Sequence, residues 1–459
     1  MKMKLAEIAK AIHAQNDIEQ WADVEVTSVS FDSRQLEEGS LFVPLQGAQD
    51  GHQFVAGAFT NGAAASLWAS DHEITDTSRP LLVVSDPLKA LQQLGKYYLH
   101  KINPIVVAVT GSNGKTTTKD MIASILSSQY NVTKTFANFN NEIGVPVTLL
   151  NMEASTEAVV VEMGMDRFGQ LDFLSKLVTP DIAVITMIGE AHIEFFGSRD
   201  KIADAKIEIT HGLKEDGALV FNGDEPLLND RVTDLSQQKV RFGRQLSNDF
   251  YATSVNEQSR QVEFTVNKWP EEHFTIPMVG EYNVNNALAA ISVGQLLHVS
   301  PVNMKHALAN VELTENRAEW VSGKQGEQIL SDVYNSNPTA AKQVLQTLAN
   351  TSTTGKRIAV LGDMLELGEA ASELHASLAA AINPKQIQAV YLVGEQMQNL
   401  KKQLLADGYP AEAIHSYHQD DLTSLVADLD EGLQSEDVVL LKASHGIHLE
   451  KVLAALRTE

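Results

Sequence analysis

The segment IVVAVTGSNGKTT occupies residues 105–117 and decides how the surrounding chain folds. Its apolar start, residues 105–109, is typical of a central parallel strand, and a helical pattern follows its last threonine. Between them, Gly111 and Gly114 allow backbone N–H groups to approach phosphate oxygens at the positive end of a helix dipole. The segment therefore predicts a strand, a phosphate-binding loop and a helix, in an order typical of an α/β domain.

The loop departs from strict Walker A spacing, because Val109 stands where the first glycine belongs. It is a shortened T-G-x-N-G-K-T-T variant in which Lys115 is placed to reach the β- and γ-phosphates and the Thr116 hydroxyl to hold Mg²⁺. A glycine turn with a surface lysine is the alternative, and the order of strand, loop and helix argues against it. The candidate ATP-binding residues are Thr110, Gly111, Ser112, Asn113, Gly114, Lys115, Thr116 and Thr117.

Similar apolar runs recur along the chain with helical patterns between several of them, which predicts mostly parallel sheets. They lie at residues 158–161, 182–185 and 218–221, and again, after about residue 313, at 358–361, 390–393 and 438–441. The first hundred residues mix short strands and helices, including a helix that ends before Asn103-Pro104. At about 100–200 residues per domain, we expect three α/β domains, at 1–102, 103–313 and 314–459.

Composition narrows the functional classes. The chain has 459 residues and no cysteine, so histidines and carboxylates must supply any metal ligands. Its formal charge of −24, from 35 basic and 59 acidic residues, is the reverse of what a general nucleic-acid binder shows. The opening MKMKLAEIAKAIHAQND lacks a signal-peptide core, and no run approaches the ~18 apolar residues of a membrane span. We therefore expect a cytoplasmic protein without a membrane span and without nucleic acid as partner.

Two polar residues follow predicted central strands. Glu162 comes directly after the run at 158–161, and His192 follows the run at 182–185. Both would emerge at the carboxyl edge of the sheet, where α/β proteins bind ligands. A strand-end acid or a lone histidine is often only structural, but the neighbouring phosphate loop favours a functional interpretation.

Lys206 lies on the apolar face of a predicted helix over residues 199–213. That face is formed by Ile202, Ile209 and Leu213. Taken alone, the position favours a lysine whose stem covers the protein surface while its ammonium reaches water.

Together these motifs resemble the Mur ligase superfamily over nearly the whole chain. The marks of the resemblance are residues 110–117, 138–146 (NFNNEIGVP), Glu162, 189–192 (GEAH), Lys206, 283–290, Asn316-Arg317, 332–338 (DVYNSNP) and 361–364 (LGDM). The YNxNP element, the DSR…LFVPL…DGH opening and the LGDMxELG stretch look like the members that add D-alanyl-D-alanine. Two departures are Tyr282, where many members have histidine, and Lys442-Ala443-Ser444-His445, where KGSR or KGSN is common.

The resemblance implies roles for single residues. Lys115, Lys206 and His192 would be catalytic, and Asn286, Arg317 and Asp332 would join the loop in binding ATP. Thr116, Glu162, His192 and a carbamylated Lys206 would hold Mg²⁺. The UDP-substrate would meet Ser33, Arg34, Asn138 and Asn141.

The activity implied is that of an ATP- and Mg²⁺-dependent amide ligase. It would add D-alanyl-D-alanine to UDP-N-acetylmuramoyl-tripeptide through an acyl phosphate, as a monomer. The first domain would bind UDP, the central phosphate-loop domain ATP, and the Rossmann-like third domain would close over the site. Two alternatives remain: another amide ligase such as a folylpolyglutamate synthetase, which lacks such an opening domain, and a P-loop NTPase regulatory module.

Overall fold

The computed structural model describes residues 1–74, 76–315 and 317–458. These form two compact units that interleave along the chain. Unit one comprises Met1–Thr110, Gln129–Val184 and Glu208–Leu219; unit two comprises Gly111–Ser128, Ile185–Ile207 and Val220–Glu459. The predicted mark Asn316 lies outside the described residues.

The N-terminal hundred residues belong to unit one and contain a small parallel sheet. Its elements are β1 (Met3–Lys4), α1 (Leu5–Ala11), β2 (Glu25–Val26), β3 (Ser28–Ser30), β4 (Ser40–Phe42), α2 (Val55–Thr60), β5 (Ala63–Ala69), β6 (Leu81–Val84) and α3 (Pro87–Ile102). Strands β3-β4-β5-β6 are parallel neighbours in that order. Helix α3 begins where the Asp86 side chain accepts from the Leu88 and Lys89 N–H groups and ends at Asn103, whose φ is 55°. The predicted helix before Asn103-Pro104 is therefore confirmed.

The middle of the chain carries the phosphate loop. Its elements are β7 (Ile105–Thr110), α4 (Lys115–Ser127), β8 (Val132–Lys134), α5 (Gly144–Leu150), β9 (Ala158–Glu162), α6 (Gln170–Val178), β10 (Ile182–Ile185), α7 (Ile193–Phe196), α8 (Arg199–Ile207), β11 (Ala218–Asn222), α9 (Pro226–Arg231), β12 (Gln238–Gly243), β13 (Phe250–Glu257), β14 (Val262–Val266), β15 (Trp269–Ile276), α10 (Asn283–Leu296) and α11 (Pro301–Ala309). The predicted strand, loop and helix at residues 105–117 are confirmed.

The strands of this segment are divided between the units. In unit one the order is β10-β7-β9-β8, and β9 pairs in parallel with both β7 and β8. In unit two the order is β15-β14-β13-β12, and β13, β14 and β15 pair antiparallel in succession. The chain passes from unit one to unit two within β11, after Leu219. Each apolar run expected in this segment is a strand, whereas β12 to β15 were not expected.

The C-terminal segment, in unit two, forms a six-stranded, mostly parallel sheet with helices on both faces. Its elements are β16 (Glu319–Ser322), β17 (Gln328–Asp332), α12 (Pro338–Asn350), β18 (Arg357–Gly362), α13 (Ala371–Ala376), β19 (Ala389–Val393), α14 (Met397–Ala406), β20 (Ile414–Tyr417), α15 (Leu422–Gly432), β21 (Val438–Lys442) and α16 (Leu449–Leu456). The order is β16-β17-β21-β18-β19-β20, and all neighbours except β16 and β17 are parallel.

The alternating directions of the side chains along β18 explain how apolar clusters form on both faces of this sheet. Ala359 and Leu361 enter one apolar cluster, while Ile358 and Val360 enter the cluster on the opposite face. Successive side chains of a strand point to opposite faces, so a strand covered on both sides reads as a continuous apolar run. The α/β class and the Rossmann-like third segment are thus confirmed. Across the described residues, every helix is too short or too polar to cross a membrane.

Candidate active site

The phosphate loop has a backbone shape that only glycine allows at two positions. Gly111 has φ 153°, and a Cβ there would lie 1.8 Å from Thr186 Oγ1. Gly114 has φ 81°, and a Cβ there would lie 2.4 Å from Asn286 Oδ1. The loop is also held in place, because the Ser112 N–H donates to the Met187 carbonyl at 2.9 Å. A fixed, side-chain-free loop at the start of α4 is the geometry that a phosphate group needs.

Lys115 begins α4 and folds back over this loop. Its Nζ donates to the Gly111 carbonyl at 2.9 Å and lies 3.5 Å from the Ser112 carbonyl oxygen. The ammonium is thus held above the loop's own backbone. Behind it, Thr116 and Thr117 are buried in the first turn of the helix.

Asn286, expected to contact ATP, lies beside the loop on α10. Its Nδ2 donates to Asn283 Oδ1 at 2.9 Å, and its Oδ1 accepts from the Thr118 hydroxyl at 3.2 Å. The amide is therefore oriented by α4 and by its own helix, and it packs against Gly114.

Lys206 is buried in α8, with 2% of its surface exposed. The surface position that its sequence pattern favoured on its own is therefore wrong. Burial lowers the pKa of its amine well below the usual value, and the nearby Lys115 ammonium lowers it further. Within the described residues, no acidic side chain is among the groups that shift its pKa. A buried lysine of this kind favours the neutral amine, which is the form that reacts with electrophiles.

Glu162 ends β9 in unit one and is 1% exposed. Its Oε1 accepts from Asn140 Nδ2 at 2.9 Å, whereas its Oε2 is buried and has no hydrogen-bond partner among the described residues. Its backbone N–H donates to the Thr135 hydroxyl at 3.0 Å. A buried carboxylate oxygen without a donor is costly unless a cation or ligand group meets it. Glu162 therefore fits the role of a ligand to a hard cation such as Mg²⁺.

His192 lies in unit two directly before α7, with a left-handed φ of 63°. Its Nδ1 is 2.5 Å from Glu366 Oε2, in the LGDMxELG stretch. The hydrogen bond from His192 holds the pKa of the Glu366 carboxyl below its usual value. A carboxylate on one ring nitrogen fixes the histidine tautomer and orients the other nitrogen toward a ligand.

Arg317 and Asp332 lie near the start of the C-terminal segment and have partners there. The Arg317 guanidinium lies over the Tyr334 ring, 3.8 Å from its centroid, while its Nε is buried and meets no hydrogen-bond partner in the described part of the chain. Asp332 Oδ2 accepts from the buried Lys442 ammonium at 2.6 Å. His445, one of the two departures from the family pattern, stacks on the Tyr334 ring, with 6.1 Å between the ring centroids.

The expected UDP-substrate residues lie in two stretches of unit one. Asp32 receives a forked pair of bonds from Arg34, at 2.9 and 2.8 Å, which lower the pKa of its carboxyl to about 2. The Ser33 carbonyl accepts from Asn61 at 2.8 Å. The Asn138 carbonyl accepts from the Asn140 N–H, and Asn141 Oδ1 accepts from the Gly144 N–H at the start of α5.

A further cluster of metal-binding residue types lies in the N-terminal segment. Asp50, His52 and His72 bring one ligand atom each within 4.8 Å of one another. Both ring nitrogens of each histidine already have partners: His52 contacts Asp50 and the Ala69 N–H, and His72 contacts Asp50 and Asp71. This cluster is therefore a hydrogen-bond network that ties Asp50 to the end of β5.

Four residues at these sites were not singled out from the sequence. Asn140 donates a hydrogen bond to Glu162, and Glu366 contacts His192. Glu190 contacts Thr339, and Asn337 contacts Asn113. All four lie inside the motifs NFNNEIGVP, LGDMxELG, GEAH and YNSNP. The motifs were the available signal, but the sequence does not say which member of a motif reaches another.

Comparison with known proteins places this geometry in a family. Family models match residues 25–99 ("Mur ligase family, catalytic domain"), 109–294 ("Mur ligase middle domain") and 316–445 ("Mur ligase, glutamate ligase domain"). A Bacillus subtilis protein named UDP-N-acetylmuramoyl-tripeptide–D-alanyl-D-alanine ligase is 40% identical over 98% of this chain and 97% of its own. The chain belongs to the Mur ligase family.

Solved structures of Mur ligases support the assignment. MurF from Acinetobacter baumannii matches with a TM-score of 0.87 at 29% identity, over 99% of this chain and 98% of that one. MurF ligase from Thermotoga maritima, solved in complex with ADP, matches with a TM-score of 0.79 at 29% identity, over 94% of this chain and 97% of that one. This Mur ligase therefore has the family fold over nearly its full length.

Proposed function

We propose that this Mur ligase adds D-alanyl-D-alanine to UDP-N-acetylmuramoyl-tripeptide, with ATP as the energy source. The products are UDP-N-acetylmuramoyl-pentapeptide, ADP and phosphate, and the pentapeptide serves peptidoglycan synthesis. The observation that carries the proposal is the 40% identity over 98% of the chain to a relative named for this reaction. The phosphate loop, with Lys115 over its backbone, supports the use of ATP.

A carboxylate and an amine do not condense unaided at neutral pH, so the carboxylate must be activated. A carboxylate oxygen of the tripeptide attacks the γ-phosphorus of ATP, and ADP leaves, which forms an acyl phosphate. The amine nitrogen of the dipeptide then attacks the acyl carbon, inorganic phosphate leaves with the former carboxylate oxygen, and the amine loses a proton. Positioning and charge neutralisation supply most of the catalysis in such transfers.

The ATP site in this proposal is built around the loop. Lys115 neutralises charge on the transferred phosphoryl group, and the loop N–H groups hold the other phosphate oxygens. Asn286 borders the loop, and Arg317 approaches the nucleotide with a guanidinium whose Nε has no hydrogen-bond partner within the residues that the structure describes. Asp332 contacts the ribose through the carboxylate that Lys442 orients.

Mg²⁺ is part of the proposal, with Thr116, Glu162, His192 and Lys206 as the residues that would hold it. When bound, the ion would neutralise phosphate charge and polarise the reacting oxygens. The buried Lys206 amine contributes after it reacts with CO₂: a C–N bond forms, the nitrogen loses a proton, and an anionic carbamate results. Glu162 Oε2, which no described residue meets with a hydrogen bond, supports a cation beside Glu162.

The UDP-substrate is assigned to the N-terminal domain, 1–102, with Ser33, Arg34, Asn138 and Asn141 as its contacts. The exposed Arg34, oriented by Asp32, supports an anionic substrate there. The central domain, 103–313, and the C-terminal domain, 314–459, complete the proposed organisation, which the three separate family matches support. The dependence on ATP and a nucleotide-linked precursor places the reaction in the cytoplasm, and the proposed working form is a monomer.

The test is a product assay with ATP, D-alanyl-D-alanine and UDP-N-acetylmuramoyl-tripeptides ending in lysine or diaminopimelate. We expect phosphate release to require both co-substrates and mass spectrometry to detect the pentapeptide with at least one tripeptide. Equal ATP turnover without the dipeptide would favour the NTPase alternative. A parallel assay with ATP, glutamate and a folate tests the folylpolyglutamate synthetase alternative, which glutamate addition to the folate would favour.

A further inference from the structure

The side chains of Asn113 and Asn337 form a reciprocal amide pair. Asn113 Nδ2 donates to Asn337 Oδ1 at 3.2 Å, and Asn337 Nδ2 donates to Asn113 Oδ1 at 2.6 Å. The two residues are 224 positions apart, and both belong to unit two. One lies in the phosphate loop and the other directly before α12, so the pair links the loop to the C-terminal segment.

The Asn337 side chain is held in place by its own helix as well as by the loop. It is 2% exposed and caps α12, since its Oδ1 also accepts from the Ala340 N–H at 3.0 Å. Pro338 follows in the first turn, where a missing N–H costs nothing. The cap orients the amide, and the amide then presents both a donor and an acceptor to the loop. Aspartate would cap this helix equally well but has no N–H to donate.

A second contact lies next to the pair. The Thr339 hydroxyl donates to Glu190 Oε2 at 2.7 Å, and the Thr339 N–H donates to the same oxygen at 3.3 Å. Glu190 follows Gly189, whose carbonyl accepts from the Ser112 hydroxyl at 3.4 Å. The first turn of α12 therefore touches both the loop and the segment against which the loop rests.

We propose that Asn337 is a positioning residue that sets the geometry of the phosphate loop through Asn113. The proposal rests on the proposed ligase function and adds to it a dependence of the ATP site on the first turn of α12. Asn113, with both amide atoms engaged, acts by fixing the loop backbone beside Gly114 and not through a side-chain bond to phosphate. Loss of the pair is expected to slow phosphoryl transfer and to leave binding of the UDP-substrate unchanged.

The decisive variant is Asn337→Asp, because it keeps the helix cap and removes the donor to Asn113. We expect kcat for phosphate release to fall about 10-fold, which corresponds to one net hydrogen bond. The KM for UDP-N-acetylmuramoyl-tripeptide should stay close to the parent value, whereas the melting temperature should fall, because a buried carboxylate oxygen without a donor is costly. Ser300→Asp is the matched control, since Ser300 caps α11 and aspartate preserves that cap; its turnover should not change.

A double-mutant cycle separates positioning from a general loss of fold. Asn113→Ala and Asn337→Ala should each lower kcat, and the double variant should be no slower than the slower single variant, because both remove the same pair. Losses that multiply, or full turnover by Asn337→Asp, would overturn the proposal. If the parent releases phosphate from ATP without making the pentapeptide, the ligase function fails, while the same cycle on that phosphate release still tests the pair.

Discussion

Glu366 Oε2 lies 2.5 Å from His192 Nδ1, although 174 residues separate the two along the chain. The backbones of the two stretches are also in contact, since the Glu194 N–H donates to the Glu366 carbonyl at 3.1 Å. The contact occupies one ring nitrogen of the histidine and leaves the other for a ligand. Carboxylates in this position orient metal-binding histidines and make them more basic.

Glu366→Gln should therefore weaken Mg²⁺ binding. A neutral amide retains the size of the side chain but not the charge that supports His192, and loss of such a partner typically costs about 10–100-fold in metal affinity. Calorimetric Mg²⁺ titration in the presence of ADP measures this directly. Glu369→Gln, at the exposed position directly after the LGDMxELG stretch, is the control. An unchanged Mg²⁺ affinity in Glu366→Gln would remove His192 or Glu366 from the metal site.

Lys206→Ala should lose most ligase activity while the protein stays folded. The buried amine is proposed to act as a carbamate, so acetate or formate at high concentration should restore part of the turnover by filling the vacant anionic position. Lys206→Arg should remain inactive, because a guanidinium keeps its positive charge. Carbon-13 NMR with labelled bicarbonate should show a carbamate signal in the parent and none in the alanine variant. Near-normal turnover by the arginine variant would contradict the carbamate.

Arg317→Ala should lower turnover strongly and leave UDP-substrate affinity almost unchanged. Arg317 belongs to the C-terminal segment and stacks on Tyr334 there, whereas the UDP-substrate is assigned to residues in unit one. Arg317→Lys should not restore activity, since an ammonium lacks the planar fork that stacks and binds phosphate together. Calorimetry with UDP-N-acetylmuramoyl-tripeptide tests the second half; a large loss of affinity would place Arg317 elsewhere.

The Asp50–His72 contact should make the stability of the N-terminal segment depend on pH. Bonds from His52 and then His72 hold the pKa of the Asp50 carboxyl well below its usual value, so that contribution is present above about pH 4 and is lost in stronger acid. Bonds to Asp71 and then Asp50 raise the pKa of His72, so its contribution is present below about pH 6.5 and is lost as the pH rises through the raised value.

His72→Gln should abolish the second of these effects. Melting temperatures of the parent should fall as the pH rises from about 6 to 8, and the variant should show a smaller change over that range. His100→Gln replaces an exposed histidine of α3 and should behave as the parent. Parallel curves for the parent and His72→Gln would show that the imidazolium at residue 72 contributes nothing to stability.

Local signals made much of the fold predictable. Strands buried on both faces, such as β7 and β18, have continuous apolar runs, and α3 carries its own start and stop signals in Asp86 and Asn103. Strand β13 escaped prediction because it lacks a continuous apolar run: Phe250–Glu257 reads FYATSVNE, half of its residues are polar, and only Phe250 is buried. A strand of this kind is defined by its pairing partners, which the local pattern does not contain.

The candidate site likewise contains residues that the sequence predicts and contacts that it does not. The loop residues follow from a contiguous motif, and the burial of Lys206 agrees with the apolar face on which it was placed. Contacts such as Asn113 with Asn337 and His192 with Glu366 join residues more than 170 positions apart. No periodicity encodes such pairings, so they emerge only when the chain is folded.

The amide pair between Asn113 and Asn337 has a consequence for how the loop responds to its surroundings. Neither side chain titrates or carries net charge, so the link does not weaken with pH or ionic strength, as an exposed ion pair would. A nucleotide that arrives or leaves changes the charge at the loop by several units without acting directly on this contact. The protein therefore keeps an uncharged contact at a loop whose surrounding charge changes in every catalytic cycle.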